Sequence, residues 1–214
     1  MKIDRALLSA RLGRTDLDPV VADETRLAAI ALVFRQQAEE LFLCFGRRAI
    51  NPLDPWSGDV AFPGGKIEPG DTTLHDVAAR ETLEEIGLQL SAESLVGRLD
   101  PLEASGGGTR PLTPVHPLVY LVEGDAAPFR LSDEMSDAFW VPVPQLWCRR
   151  NWVAFSFPPT RAQRAGISIG NHNLWGFSLA VLIELADLLG HSMQEIRALE
   201  EHVHVDRIAS NAQS

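Results

Sequence analysis

Cysteine is scarce in this chain: Cys44 and Cys148 are the only two in 214 residues. Neither belongs to a Cys-x-x-Cys pair, so a zinc ribbon or dithiol redox motif is excluded, as is a disulfide-dense scaffold. Cys44 lies in an apolar run, where a buried reduced thiol is expected. Positive charge is also short, with 19 Lys and Arg against 29 Asp and Glu, a formal net charge of −10. That balance argues against general nucleic-acid binding, which normally shows a basic stripe. It leaves phosphate substrates open, because a bound metal supplies positive charge locally. Long apolar runs are missing too. The best stretch, Phe177 to Leu189, is interrupted by Ser178, Glu184 and Asp187, and is too short and polar to cross a membrane. Met1-Lys2-Ile3-Asp4-Arg5 leads into an amphipathic stretch, so no signal peptide is expected and the chain is read as cytoplasmic. There is no internal repeat and no low-complexity tract.

What is present suits a globular protein. Hydrophobic content of 45% and 22% charged residues allow a sizeable core, and the length fits one domain over 1–214. Apolar spacing predicts a leading helix over Ile3 to Leu12. Two strands, Leu27 to Phe34 and Glu40 to Phe45, are expected across a turn at Arg35-Gln36-Gln37. Asp16 to Pro19 and Asn51 to Gly58 read as loops, and Val60-Ala61-Phe62 as a brief strand before a glycine turn. Further strands are predicted at Glu93 to Leu99, Val115 to Val122 and Ala138 to Val143. Two closing helices are predicted at Leu174 to Leu189 and Met193 to Val205. Interleaved strands and helices make this an α+β protein.

The chemistry concentrates between Gly64 and Leu88, where a Gly-Gly-Lys turn precedes Arg80-Glu81-Thr82-Leu83-Glu84-Glu85-Ile86-Gly87-Leu88. A helix is predicted from Thr73 to Ile86, capped by Asp71 or Thr72 and ended by Gly87. On such a helix Glu81 neighbours both Glu84 and Glu85. Each like-charge pair costs roughly 0.2–0.5 kcal/mol unless something neutralises it. Carboxylate clusters of this kind suit hard divalent cations. A solvated acidic face is the alternative that spacing alone leaves open.

This segment resembles the Nudix box: Gly, five residues, Glu, seven residues, Arg-Glu, a hydrophobic, any residue, Glu-Glu, any residue, Gly, a hydrophobic. Gly65 opens the pattern, and Arg80, Glu81, Glu84, Glu85, Gly87 and Leu88 fill its second half. Asp71 stands where the first Glu is usual, with eight residues rather than seven before Arg80. The resemblance implies the α/β/α sandwich of Nudix proteins, a mixed β-sheet between helices. It also implies hydrolysis of a pyrophosphate bond with Mg²⁺ or Mn²⁺ as cofactor. Glu81, Glu84, Glu85 and the Gly64 carbonyl are then the metal ligands, and Glu84, Glu85 and Arg80 the catalytic residues. Arg80 is expected to orient a glutamate by a charge-assisted hydrogen bond.

The run Asp133-Glu134-Met135 before Phe139-Trp140-Val141-Pro142 is similar to a family segment that supplies a further acid. Glu134 is therefore the candidate base or extra metal ligand, with a solvated loop acid as the alternative; Glu123 is a weaker candidate. Val60 to Lys66, the longer box, and Leu174-Trp175-Gly176-Phe177-Ser178 resemble the coenzyme A pyrophosphatase branch. That branch carries a histidine where this chain has Trp56. The expected partner is a small nucleoside diphosphate derivative, coenzyme A or an acyl-CoA first, with ADP-ribose, a dinucleotide or a nucleotide sugar as alternatives. Nucleic acid and membrane are not expected partners. Many relatives are homodimers, though no residue here selects that state. Trp56, Arg48, Lys66 and Arg110 are the candidate substrate-binding residues; Trp56 could stack on a base or pack in the core.

Rival readings are weaker. Gly166-Ile167-Ser168-Ile169-Gly170 matches a nucleophile-elbow pattern, but its β-branched residues suit a strand. His202 and His204 lie two apart, on different faces of a helix. A non-catalytic Nudix-like binding module would be expected to have lost a box glutamate, and all three are here.

Overall fold

The structure is a computed structural model that describes residues 3–12, 27–52, 56–104, 112–124, 127–157 and 162–196. The expected loop at Asp16 to Pro19, the Gly106-Gly107-Gly108 run, Arg110, His202 and His204 lie outside them. Two compact units can be told apart, Met1–Val143 and Pro144–Ser214.

The first unit contains α1 (Arg5–Leu12), β1 (Ala28–Gln37), β2 (Glu40–Arg48), β3 (Val60–Ala61), β4 (Gly64–Lys66) and α2 (Leu74–Ile86). It continues with β5 (Leu95–Arg98), β6 (Leu102–Ala104), β7 (Thr113–Glu123) and β8 (Met135–Pro142). The eight strands form one mixed sheet. Its centre is β1, which runs parallel to β7 from Ala28 opposite Val115 to Gln36 opposite Glu123. It is antiparallel to β2 and to β4, with Ile30 opposite Gly64. The mixed sheet with helices is the α+β class expected.

Leu27 to Phe34 is buried throughout. The period of two in a strand separates this run into two faces. Ala29, Ala31 and Val33 join Cys44, Leu118 and Tyr120 in a core with Leu74, Val77, Ala78 and Ile86 of α2. Ile30, Leu32, Phe34, Leu43, Phe45 and Val119 are buried as well. Burial on both faces explains why β1 reads as a continuous apolar run rather than an alternating one. Each large α2 side chain in this core contributes about 1.5–3 kcal/mol, which fixes the helix against the sheet. Cys44 is a buried free thiol, pushed up to about 12 by burial against the opposing charge of Arg35.

Several boundaries differ from expectation, as where β8 begins at Met135 rather than Ala138. The β1–β2 turn lies at Ala38-Glu39, since the ladder continues to Gln37 opposite Glu40. Gly64 to Lys66 is a strand, because its backbone pairs with β1 instead of turning freely. Neither Asp71 nor Thr72 caps α2. Thr73 does: its hydroxyl accepts the Asp76 N–H at 3.1 Å, and the Asp76 carboxylate accepts the Thr73 N–H at 2.9 Å. Gly87 ends the helix as expected, left-handed at φ +71°.

The second unit begins within α3 (Val143–Trp147). Strands β9 (Trp152–Phe157), β10 (Ala162–Ile169) and β11 (His172–Trp175) form an antiparallel meander, followed by α4 (Gly176–Leu188). Leu174 and Trp175 are strand rather than helix, and β9 was not expected. Ser168 sits within β10 between buried Ile167 and Ile169, which disposes of the nucleophile elbow. Of the second closing helix, expected from Met193, residues 193–196 are described, and 194–196 are helical. Among the described residues no helix is long and apolar enough to cross a membrane.

Candidate active site

Strand β4 and α2 meet because one residue type fits between them. Gly64 has φ +150°, and a Cβ there would strike the Ala29 carbonyl and the Ile30 backbone. Its N–H donates to Glu85 Oε2 at 3.0 Å, tying the strand to the last turn of the helix. A Cβ on Gly65 would occupy the place of the Glu81 carboxylate. The second glycine therefore makes room for an acid, and the first holds another by its backbone.

Arg80 gathers the remaining charges. Its guanidinium donates to both Asp71 carboxylate oxygens, Nη2 at 3.0 Å and Nε at 3.2 Å. Nη1 lies 3.1 Å from Glu81 Oε1 and 3.2 Å from Glu84 Oε2, and Nη2 donates to the Lys66 carbonyl at 2.9 Å. This fork is a geometry that a lysine could not copy. Asp71 is nearly buried, its side chain only 6% exposed, with Arg80 across the pair at 3.0 Å. The irregular box position is thus a structural acid paired with Arg80.

A third segment brings in Glu134. The last carbonyls of any helix lack intrahelical donors. Here the Arg130 N–H donates to the Ile86 carbonyl and the Ser132 N–H to the Glu85 carbonyl, both at 3.0 Å. The Ala49 N–H donates to the Glu134 carbonyl at 2.7 Å. Between β2 and β8 the register slips at Arg47 and Arg48, a bulge whose two carbonyls both accept from Ser136 Oγ, at 3.3 and 3.2 Å. Bulges beside active sites re-aim side chains. The two arginines accordingly part company: Arg47 Nε donates to the Gly58 carbonyl at 3.3 Å, while the charge of Arg48 is felt at Glu85.

Glu85 is the electrostatic centre. It is 7% exposed, and burial raises its carboxyl from 4.5 to about 7. The Gly64 N–H and Arg48 oppose that rise, whereas Glu81 and Glu134 reinforce it. Glu81 is raised as well, first by burial and further by Glu84 and Glu68, against the pull of Arg80. Two neighbouring carboxyls kept from ionising chiefly by burial favour a partner that brings positive charge. All-oxygen donors in such a site fit a hard divalent ion. As the side chains stand, no group of three or more acidic, His or Cys side chains among the described residues is arranged around one point. Arg80 draws Glu81 and Glu84, and the Gly64 N–H takes Glu85.

Among the candidate substrate residues, Lys66 is exposed and Trp56 is 43% exposed, which removes the core-packing reading of Trp56. The Trp56 carbonyl accepts the Asp59 N–H at 3.2 Å, closing the turn that leads into β3. Glu123 ends β7 and is exposed. Sequence reasoning missed the pairing of Asp71, the anchoring role of Ser132 and the bulge held by Ser136. Only the first left a signal, an acid displaced within a known pattern.

Residues 24–162 match the family model described as NUDIX domain. The uncharacterized Nudix hydrolase NudL of Yersinia enterocolitica is 30% identical over 151 residues, covering 65% of this chain and 70% of that protein. A namesake from Yersinia pestis is 29% identical over 151 residues, with coverage of 67% and 70%. In fold the chain is similar to a MutT/nudix family protein from Enterococcus faecalis. The TM-score is 0.54 at 16% identity, covering 93% of this chain and 81% of that one.

Proposed function

This chain belongs to the NUDIX domain family and is a Nudix hydrolase; on that premise we propose that it splits the pyrophosphate bond of a nucleoside diphosphate linked to another group, with a divalent metal ion. One observation carries the reading. Glu81 and Glu85 pack against the Gly64-Gly65 strand, and burial disfavours the charged form of both, so a divalent cation held there would favour their ionised state. Glu81, Glu84, Glu85 and the Gly64 carbonyl are the groups that would hold Mg²⁺ or Mn²⁺. When bound, such an ion polarises phosphoryl oxygens and lowers the pKa of water.

The chain's own residues supply the rest. Arg80 holds Glu81 and Glu84 through one guanidinium, and would orient them by charge-assisted hydrogen bonds. Glu134 takes the proton from the attacking water. Arg48 and Lys66 offset phosphate charge, and the exposed Trp56 ring stacks on the base. Arg110, outside the described residues, is proposed as a further phosphate contact on its place in the sequence alone.

Coenzyme A or an acyl-CoA is the leading substrate. The support is the Val60–Lys66 segment, the lengthened box and Trp175-Gly176; Trp56 in place of the branch histidine weighs against it. The test is a panel of coenzyme A, ADP-ribose, a diadenosine polyphosphate and a nucleotide sugar, with Mg²⁺ and products identified by mass. Coenzyme A should give adenosine bisphosphate and phosphopantetheine. Faster turnover of another compound would reassign the substrate. Tight binding of one compound without turnover of any would make the chain a binding module.

A further inference from the structure

We propose that Ser132 is a positioning residue for the reaction, setting the carboxylate of Glu134 against the helix turn that carries Glu85. The proposal rests on the reading of Glu134 as proton acceptor. Ser132 makes three bonds with three functions. Its N–H donates to the Glu85 carbonyl at 3.0 Å, its Oγ accepts the Glu134 N–H at 3.3 Å, and its carbonyl accepts the Met135 N–H at 3.2 Å. The last two define a tight turn with serine at its first position, where a side-chain oxygen locks the N–H two residues on. The first registers that turn on the box helix. Glu134 is the third residue of the turn, and Ala49 fixes its carbonyl from the opposite side at 2.7 Å. The backbone that carries the acid is therefore held from both flanks at a set height on α2, and the charge of Glu134 is felt at Glu85.

The partner of the Ser132 hydroxyl, the Glu134 N–H, belongs to an exposed residue, so the hydroxyl adds little to folding. Its value is in aim, since a catalytic group misplaced by a fraction of an ångström loses much of its effect. Ser132→Ala keeps both backbone bonds and removes only the hydroxyl. Kinetics with Mg²⁺ would use whichever of coenzyme A, ADP-ribose, a diadenosine polyphosphate or a nucleotide sugar is turned over fastest. We expect kcat to fall about tenfold with KM and thermal midpoint unchanged. Ser132→Asn, whose carboxamide oxygen can accept the same N–H, should recover kcat to within about twofold. In a Glu134→Gln background, Ser132→Ala should cost nothing further. A wild-type kcat for Ser132→Ala beside a slow Glu134→Gln overturns the positioning role alone. Full activity of Glu134→Gln overturns the reading beneath it. An undiminished loss in the double variant, or no rescue by asparagine, shows that Ser132 does not act through Glu134. No turnover of any of the four compounds overturns both.

Discussion

Replacing Arg80 by glutamine should destabilise the protein far more than a surface substitution. The reason is the carboxylate it leaves behind. Asp71 is 6% exposed on its side chain and receives two guanidinium bonds, while Arg80 itself is 21% exposed. Those bonds, with help from Glu81, hold the guanidinium proton even more tightly than usual. Removing one partner of a buried ion pair costs about 3–5 kcal/mol, and the partial exposure of Arg80 argues for the lower end. At about 2–4 °C per kcal/mol for a chain of this size, the thermal midpoint should drop by about 6–12 °C. Arg80→Lys keeps the charge and loses the fork, so about half of that drop is expected. The assay is thermal and urea denaturation at neutral pH in a double-mutant cycle with Asp71→Asn. The pair should couple by more than about 1.5 kcal/mol. Coupling below about 0.5 kcal/mol, or an Arg80→Gln midpoint within about 2 °C of wild type, would refute the pairing as a structural element.

The raised Glu85 carboxyl has a pH signature without metal. The native state takes up a proton between pH 4.5 and about 7 where the unfolded chain does not. Its contribution is therefore full below 4.5 and lost as pH rises through about 7, at most about 3 kcal/mol. In chelator, Glu85→Gln should flatten that part of the stability profile; an unchanged slope would show the burial reading to be wrong. Gly65→Ala should fold with a near-normal midpoint yet lose most activity, because the new methyl displaces only the end of the Glu81 side chain. Gly64→Ala should fail to fold stably, since backbone blocks its methyl at φ +150°. Equal midpoints for the two variants would contradict this division. Ser136→Ala, by loosening the bulge that aims Arg48, should raise KM severalfold and leave kcat nearly intact; an unchanged KM would remove Arg48 from substrate binding.

What the sequence revealed of the site was local. Glu81, Glu84 and Glu85 share a helix whose periodicity places them without knowledge of the rest of the chain, and Gly87 ends it by backbone conformation alone. What it concealed depends on distant partners. Asp71 looked like a cap until its bond to Arg80 left Thr73 to cap the helix with Asp76. Gly64 to Lys66 looked like a free turn because its β1 partners are more than thirty residues earlier. The slip at Arg47 and Arg48 depends on register with β8, and the grip on Glu134 on orphan carbonyls at the end of α2. In the sheet, doubly buried β1 announced itself as an apolar run, whereas the short strand β6 carries no such pattern.

Side-by-side turnover by the wild type and Glu85→Gln bears most directly on the metal-assisted hydrolysis of a diphosphate. The substrate is the best compound of the panel, measured with Mg²⁺ and with excess chelator. The expected result is Mg²⁺-dependent cleavage between the two phosphorus atoms by the wild type, and a loss of several orders of magnitude in a folded Glu85→Gln. Near-normal turnover by Glu85→Gln, or cleavage by the wild type undiminished in chelator, would contradict it.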